Sequence, residues 1–284
     1  MTRLFKYSST CLLLAWLVSP TSLADRPSVF DFGLWESPPR SSGVEHPAGG
    51  VSITHRTDPV LRMYLWMYEW NLFEAVERGE HTHGFLLGEQ SISPDGQNAT
   101  FSGHDLRFEL RAVPDGALVS LTVRNGSNHD WPSNAGIIPC FNPGPFRVRN
   151  AQLVDDEHSR TYFLGPNGLE LLQAREIHFN QALRFLIDQV SPSGEFVFSS
   201  KWPTSPNNAA AGLLIREASD GQSVSGIAWE DFVSVQGHNP WKCMHVSVRV
   251  GPLAQGATKT IKGRIYLLKG NRHDCLAKYR QEFK

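Results

Sequence analysis

The stretch "HDLRFELRAVPDGALVSLTVRN", residues 104 to 125, constrains the fold more than any other part of the chain. Leu106, Phe108 and Leu110 fall on one face, and Asp105, Arg107, Glu109 and Arg111 on the other. After the turn Pro114-Asp115-Gly116 the alternation resumes through Val119, Leu121 and Val123. A period of two on both sides of a turn specifies an antiparallel hairpin with one wet face. Further β-rich runs follow: "EFVFSS" from 195, "AGLLIRE" from 211, "SVSGIAWEDFVSV" from 223, "MHVSVRV" from 244 and "TKTIKGRIYLL" from 258. Many short strands separated by turn signals predict an all-β chain with few short helices, built as one large antiparallel β-sandwich.

Two segments read as helices. "HFNQALRFLIDQV", 178 to 190, spaces Phe179, Leu183, Leu186 and Ile187 as an apolar stripe, and a short helix from Asp274 to Phe283 closes the chain. The aromatic-dense segment 57 to 84, "TDPVLRMYLWMYEWNLFEAVERGEHTHG", fits a helix, a buried strand, or one after the other.

At the start, Arg3 and Lys6 precede the apolar run "CLLLAWLV" and then "SLA" ending at Ala24. That is the pattern of a secretory signal peptide over residues 1–24, its apolar run being far shorter than the roughly 20 residues of a bilayer span. Localisation is therefore expected to be secreted or periplasmic. Residues 25–50, rich in Pro, Gly and Ser, read as an irregular N-terminal arm that packs Phe30, Phe32 and Trp35 on the domain. Residues 51–284 read as a single domain. With 27 basic against 28 acidic side chains and no block of either sign, no nucleic-acid or membrane-surface footprint is present. Three cysteines follow the leader, Cys140, Cys243 and Cys275. Their spacing leaves open whether Cys243 pairs with Cys275 or no disulfide forms, and matches no zinc finger or CxxC motif.

Histidines mark the candidate chemistry. In "GEHTHGFLLGE", an extended chain projects His81, His83 and Glu89 to one side, a donor set for a divalent metal. The order His-x-His, then Glu, is similar to the first cupin motif, with a longer spacer before Glu89 and no second motif; the competing reading is two surface histidines beside a Gly turn. In "QGHNPWKCMHVSVRVG", Gly237, Asn239 and Pro240 supply a turn that displays His238 and Trp241. Beyond it, Met244, Val246 and Val248 oppose His245, Ser247 and Arg249, which are expected on a polar face shared with Thr260, Lys262, Arg264 and Tyr266 of the next strand. Lys262 and Arg264 read best as solvated.

Glu230, rather than its in-core neighbour Asp231, is the carboxylate available to work with His238 and His245 as acid and base. Arg249 would neutralise a substrate carboxylate. Trp131, Trp202 and Trp241, with Pro neighbours or in loops, are candidates for stacking on sugar rings. No GxSxG elbow, phosphate-binding loop, dinucleotide fingerprint or HExxH helix occurs.

Through "WMYEWNLFEAV", "KWPTS" and "VSVQGHNPWKCMH" the chain resembles an uncharacterised family of secreted bacterial proteins. More distantly, "LTVRNGSNHDWP" and "GPLAQGATKTIKGRIYL" are similar to phrases of galactose-mutarotase-like supersandwich domains. That resemblance implies a carbohydrate ligand and chemistry of the epimerase or polysaccharide-lyase kind; it transfers no catalytic residue. A cofactor is either absent or a divalent metal. The alternative function is a non-catalytic carbohydrate or cell-surface binding module with an aromatic platform.

Overall fold

A computed structural model describes residues 28–35, 50–58, 60–71, 82–83, 87–103, 105–144, 149–173, 176–185, 204–237 and 242–283. In chain order the first strands are β1 (Phe30–Trp35), β2 (Gly50–His55), β3 (Arg62–Asn71), β4 (Thr82–His83), β5 (Leu87–Ile92) and β6 (Asn98–Gly103). Next come β7 (Leu106–Val113), β8 (Gly116–Arg124), β9 (Gly136–Asn142), β10 (Thr161–Gly165), β11 (Gly168–Leu171) and β12 (Ile177–Phe179). The last are β13 (Gly212–Glu217), β14 (Ser223–Trp229), β15 (Phe232–Gln236), β16 (Met244–Arg249) and β17 (Thr258–Lys269), followed by helix α1 (Arg272–Glu282).

They form two antiparallel sheets. The front sheet has the order β1-β2-β3-β9-β16-β15-β12, with β4 on the end of β3; the back sheet runs β11-β10-β13-β14-β17-β8-β7-β6-β5. The facing sides enclose one apolar cluster that includes Phe32, Met63, Phe108, Leu121, Phe141, Ile227, Val246 and Ile265. The predicted sandwich is what forms, and its clearest strands are the hairpin β7–β8, buried on every second residue as the sequence reads. Gly116 closes that hairpin at φ 129°, where a Cβ would run into the backbone carbonyl of Ile265. Only glycine takes that conformation without strain.

Three expectations change and one open reading narrows. The N-terminal arm is not wholly irregular: Phe30–Trp35 pairs with Gly50–His55 as an edge strand, burying Phe30 and Phe32. In the aromatic segment, Arg62–Asn71 is a strand. The stretch 178 to 190 does not begin as a helix, because His178 and Phe179 belong to β12; a 3-10 turn, Gln181–Leu183, follows, Arg184 and Phe185 are helical, and residues 186–190 lie outside the described residues. His178 points into the core against Phe163, ring centroids 4.1 Å apart, and its Nδ1 donates to the Asn207 carbonyl; burial pushes its pKa down. Finally, β16 and β17 are consecutive in sequence but lie in opposite sheets, so their polar sides never share a face. The chain crosses over between them at Gly251–Leu253, where Leu253 bridges Trp131. The strand from 195 lies outside the described residues.

The closing helix forms where it is expected. Asn271 caps it by accepting from the His273 N–H, and the Asp274 carboxylate accepts from the Asn271 N–H in return, a reciprocal capping box. Its inner side, Cys275 and Leu276, packs on Ala211, Leu213, Val224, Tyr266 and Leu268 of the back sheet's outer face.

Candidate functional site: two outer faces

Both sheets carry polar side chains on their outer faces. On the front sheet, register aligns Trp66, Cys140, His245, Gln236 and Ile177 in one row across five strands. Met244 and Val246, their alternates, enter the core. The alternation therefore sorts the two sides of β16 correctly, yet His245 and Ser247 are both fully buried and not on an open face. Cys140 is bonded to Cys243, with Cα atoms 5.8 Å apart, a normal disulfide span. The predicted alternatives for the cysteines are thus overturned: Cys140 on β9 pairs with Cys243, the residue before β16, while Cys275 stays a free thiol on the inner side of α1, pushed well above its ordinary pKa by burial.

The other candidates scatter. His83 sits on β4, where backbone pairing sets it beside Trp70, whereas Glu89 lies exposed on β5 of the back sheet. One extended strand bearing both His83 and Glu89 does not form, because the chain changes sheets between His83 and Leu87. His83 and His245 share the front sheet but stand three strands apart, about 14 Å at normal strand spacing. Arg249 is four residues from His245, about 13 Å along the strand, and is tied down: its Nε donates to the Ser133 carbonyl at 2.7 Å and it lies 3.7 Å from Asp231. Asp231 also accepts from Lys259 at 2.9 Å; it lies in the bend between β14 and β15 with its side chain 31% exposed, outside the core its sequence phase suggested.

Trp131 is no sugar platform; it is 7% exposed, wedged at the crossover with its indole N–H on Ser127 Oγ. A residue there is drawn inward because Asn125, fully buried, binds the carbonyls of His129 and Leu253 and folds the turn back on the core. His81, Trp202, His238 and Trp241 lie outside the described residues.

Glu230 ends on the other side of the molecule from His245. It follows β14 on the outer face of the back sheet and lines a cleft of about 510 Å³ with Lys262, Arg264, Tyr279, Glu282 and Phe283. Its carboxylate is fixed by backbone: Glu230 N–H donates to the Lys262 carbonyl and Lys262 N–H returns to Glu230 Oε1 at 2.6 Å. Arg264, which reads from sequence as solvated, is 3% exposed and is the hub of the region. It pairs with Asp115 and, at 3.1 Å, with Glu282; Glu282 also accepts from the Tyr266 hydroxyl at 2.8 Å, and Lys278 pairs with Asp115. Burial opposes ionisation of Asp115, but Arg264 and Lys278 outweigh it and hold the carboxyl below its ordinary range. Burial and the bond to Glu282 push Tyr266 far up, so its phenol stays protonated and cannot serve as a base. Tyr279 on α1 and Phe283, the C-cap residue one turn later, stack with centroids 5.0 Å apart. Tyr279, Glu282 and Phe283 escape the sequence reading, although the spacing of Tyr279 and Phe283 at i, i+4 on a closing helix is a signal that could have found them.

No protein-family model matches the chain, and no curated protein matches it. Solved structures similar to it include an α-N-acetylgalactosaminidase from Bifidobacterium bifidum, at TM-score 0.46 and 12% identity over 90% of this chain and 37% of that one. A polysaccharide lyase aligns at TM-score 0.40 and 11% identity over 89% of this chain and 35% of that one. A putative aldose 1-epimerase from Escherichia coli K12 aligns at TM-score 0.37 and 12% identity over 77% of this chain and 91% of that one. The chain spans little more than a third of the first two proteins.

Proposed function

We propose that the protein is an exported carbohydrate-active protein that takes a saccharide in the cleft between α1 and the outer face of the back sheet. The observation that carries this reading is the stacked pair Tyr279–Phe283 bordering, in one cleft, two carboxylates and a lysine. Aromatic faces receive the C–H faces of sugar rings while hydroxyls need acceptors and donors at the rim. Glu230 and Glu282 supply the acceptors and Lys262 a donor. The similarity of "LTVRNGSNHDWP" and "GPLAQGATKTIKGRIYL" to supersandwich domains is in accord with this ligand class. Chemistry of the lyase or epimerase kind would fall to Glu230, the exposed carboxylate, since Glu282 is engaged by Arg264 and Tyr266.

Calorimetry against neutral oligosaccharides and uronic-acid polymers, followed by an ultraviolet assay for unsaturated products, tests the reading. Phe283→Ala and Glu230→Gln should each weaken binding at least about tenfold with the circular-dichroism spectrum unchanged, the loss of roughly one good contact. Absorbance growth that disappears in Glu230→Gln makes the protein a lyase; binding without turnover makes it a binding module. A folded protein that binds no glycan, or binds equally well in both variants, removes the cleft from consideration.

A further inference from the structure

The geometry points to a second site, unrelated to the cleft: a thiophilic metal site for Zn²⁺ at Cys140, Cys243 and His245, closed while the two sulfurs are bonded and opened by reduction. One donor atom from each of the three side chains lies within 4.8 Å of the others, and all three residues are buried. Tetrahedral zinc with bonds of about 2.0–2.3 Å needs its donors roughly 3.7 Å apart, so small side-chain rotations suffice. Two thiolates and an imidazole form a donor set that suits Zn²⁺ better than the oxygen-seeking Mg²⁺ or Ca²⁺.

Neighbouring residues make this a built arrangement. Cys140 is the register partner of His245, and Cys243 precedes β16 by one residue, so the backbone ladder itself fixes two of the three donors. The approach to Cys243 is held from the back sheet: fully buried Arg216 donates to the Lys242 carbonyl at 2.6 Å, and Lys242 sits at φ 62°, a conformation a lysine rarely adopts. On the other flank, Gln236 is the register partner of His245, is 1% exposed, and carries a buried Oε1 with no hydrogen-bond partner. A buried carbonyl oxygen without a donor is costly, and beside a metal it becomes useful, either as the acceptor that orients a ligating imidazole or as a further ligand.

The chemistry balances with a dithiol as reductant. The dithiol transfers two electrons and two protons to the Cys140–Cys243 bond, leaving as its own disulfide and giving two thiols. Zn²⁺ then displaces both thiol protons to solvent and takes His245 through a neutral ring nitrogen.

Equilibrium dialysis of the full chain against Zn²⁺, with metal quantified before and after reduction by a phosphine, reads the site directly. The oxidised protein should retain no zinc at this site and the reduced protein one zinc per chain, with His245→Gln weakening affinity about 10- to 100-fold. Co²⁺ in place of Zn²⁺ should give a thiolate charge-transfer band only in the reduced protein, separating the site from surface histidines. Cys140→Asp, which cannot form the disulfide but keeps an anionic donor, should bind zinc without reductant. Zinc left free by folded reduced protein overturns the proposal, as does cobalt binding without the thiolate band. If reduction unfolds the chain and saturating Zn²⁺ does not restore the native spectrum, the proposal fails too, because a metal bound only by the native state must stabilise it.

Discussion

The two outer faces solve the same problem by opposite means. Each buries polar side chains, which costs free energy unless they are bonded or paired. The buried polar side chains on the front sheet around that row, His245, Gln236, Ser247 and Ser234, include no carboxylate or lysine, and a disulfide fastens β9 to the residue before β16. The back-sheet face is ionic, with Arg264 between Asp115 and Glu282 and the helix laid over them. Where α1 does not reach, that same face returns to ordinary solvated alternation, as in the exposed Thr122–Thr260 pair at 3.0 Å and the Arg107–Glu109 bridge at 2.8 Å. The difference teaches where adaptable chemistry can sit. A face closed by a covalent bond changes state when the bond changes, whereas a face closed by charges keeps fixed carboxylates beside an open cleft.

The largest expected effect breaks the front-sheet side of that comparison. Cys140 and Cys243 are 103 residues apart, and in the chain-entropy account closing a loop of that length stabilises the folded state by about 4 kcal/mol. Cys243→Ala should lose about that much in urea unfolding without reductant. A loss below about 1 kcal/mol would mean that the reduced front sheet is held by its ladder alone.

On the back sheet the corresponding substitution is Arg264→Ala, which strands Asp115 and, in part, Glu282. Removing one member of a buried ionic group costs about 3 kcal/mol, less than the 5 kcal/mol upper range because the Glu282 side chain is 37% exposed. Arg264→Met, which keeps an apolar stem but removes the guanidinium that lies over the Tyr266 ring, should recover part of the loss. Equal destabilisation by the two variants would assign the effect to lost charge alone.

How much of this was legible follows from what alternation encodes. Period two separates the sides of a strand, so Leu106, Phe108 and Leu110 were placed correctly, as were Met244 and Val246 against His245. It says nothing about whether the polar side meets water or a second layer, which is why His245, Arg264 and Trp131 read as accessible and are buried. Nor does it say which strands share a sheet. The crossover at Gly251–Leu253 sends β16 and β17 to opposite layers, and with them go the expected partnership of His245 with Glu230 and both readings left open for the cysteines, Cys243 with Cys275 or no disulfide. Cysteine pairing and the cleft are both products of long-range topology. By contrast, α1 was readable to within two residues because its signals are local: a capping Asn271 and an acidic first turn at Asp274.

The smallest effect expected here is also the most selective, because on the ionic face one half-buried carboxylate, Asp115, is shared by two cations. Asp115 has its pKa lowered in the folded protein, the attraction of Arg264 and Lys278 exceeding the burial that works against it. A lowered folded pKa means that the unfolded chain binds the proton more tightly. The stabilisation is therefore fully present above the unfolded carboxyl value of about 3.9 and disappears as pH falls through the folded value. Urea midpoints should be flat through the mildly acidic range and fall below about pH 4, where Asp115→Asn, less stable at pH 6, should show a shallower decline than the parent chain. Thr260→Ala, on the uncovered part of the same face, should leave that pH dependence untouched. If Asp115→Asn and the parent lose stability in parallel, the acid sensitivity belongs elsewhere, and buried Asp155, lowered by Thr161 and the Arg160 and Ser159 N–H groups against its own burial, is the next carboxylate to replace.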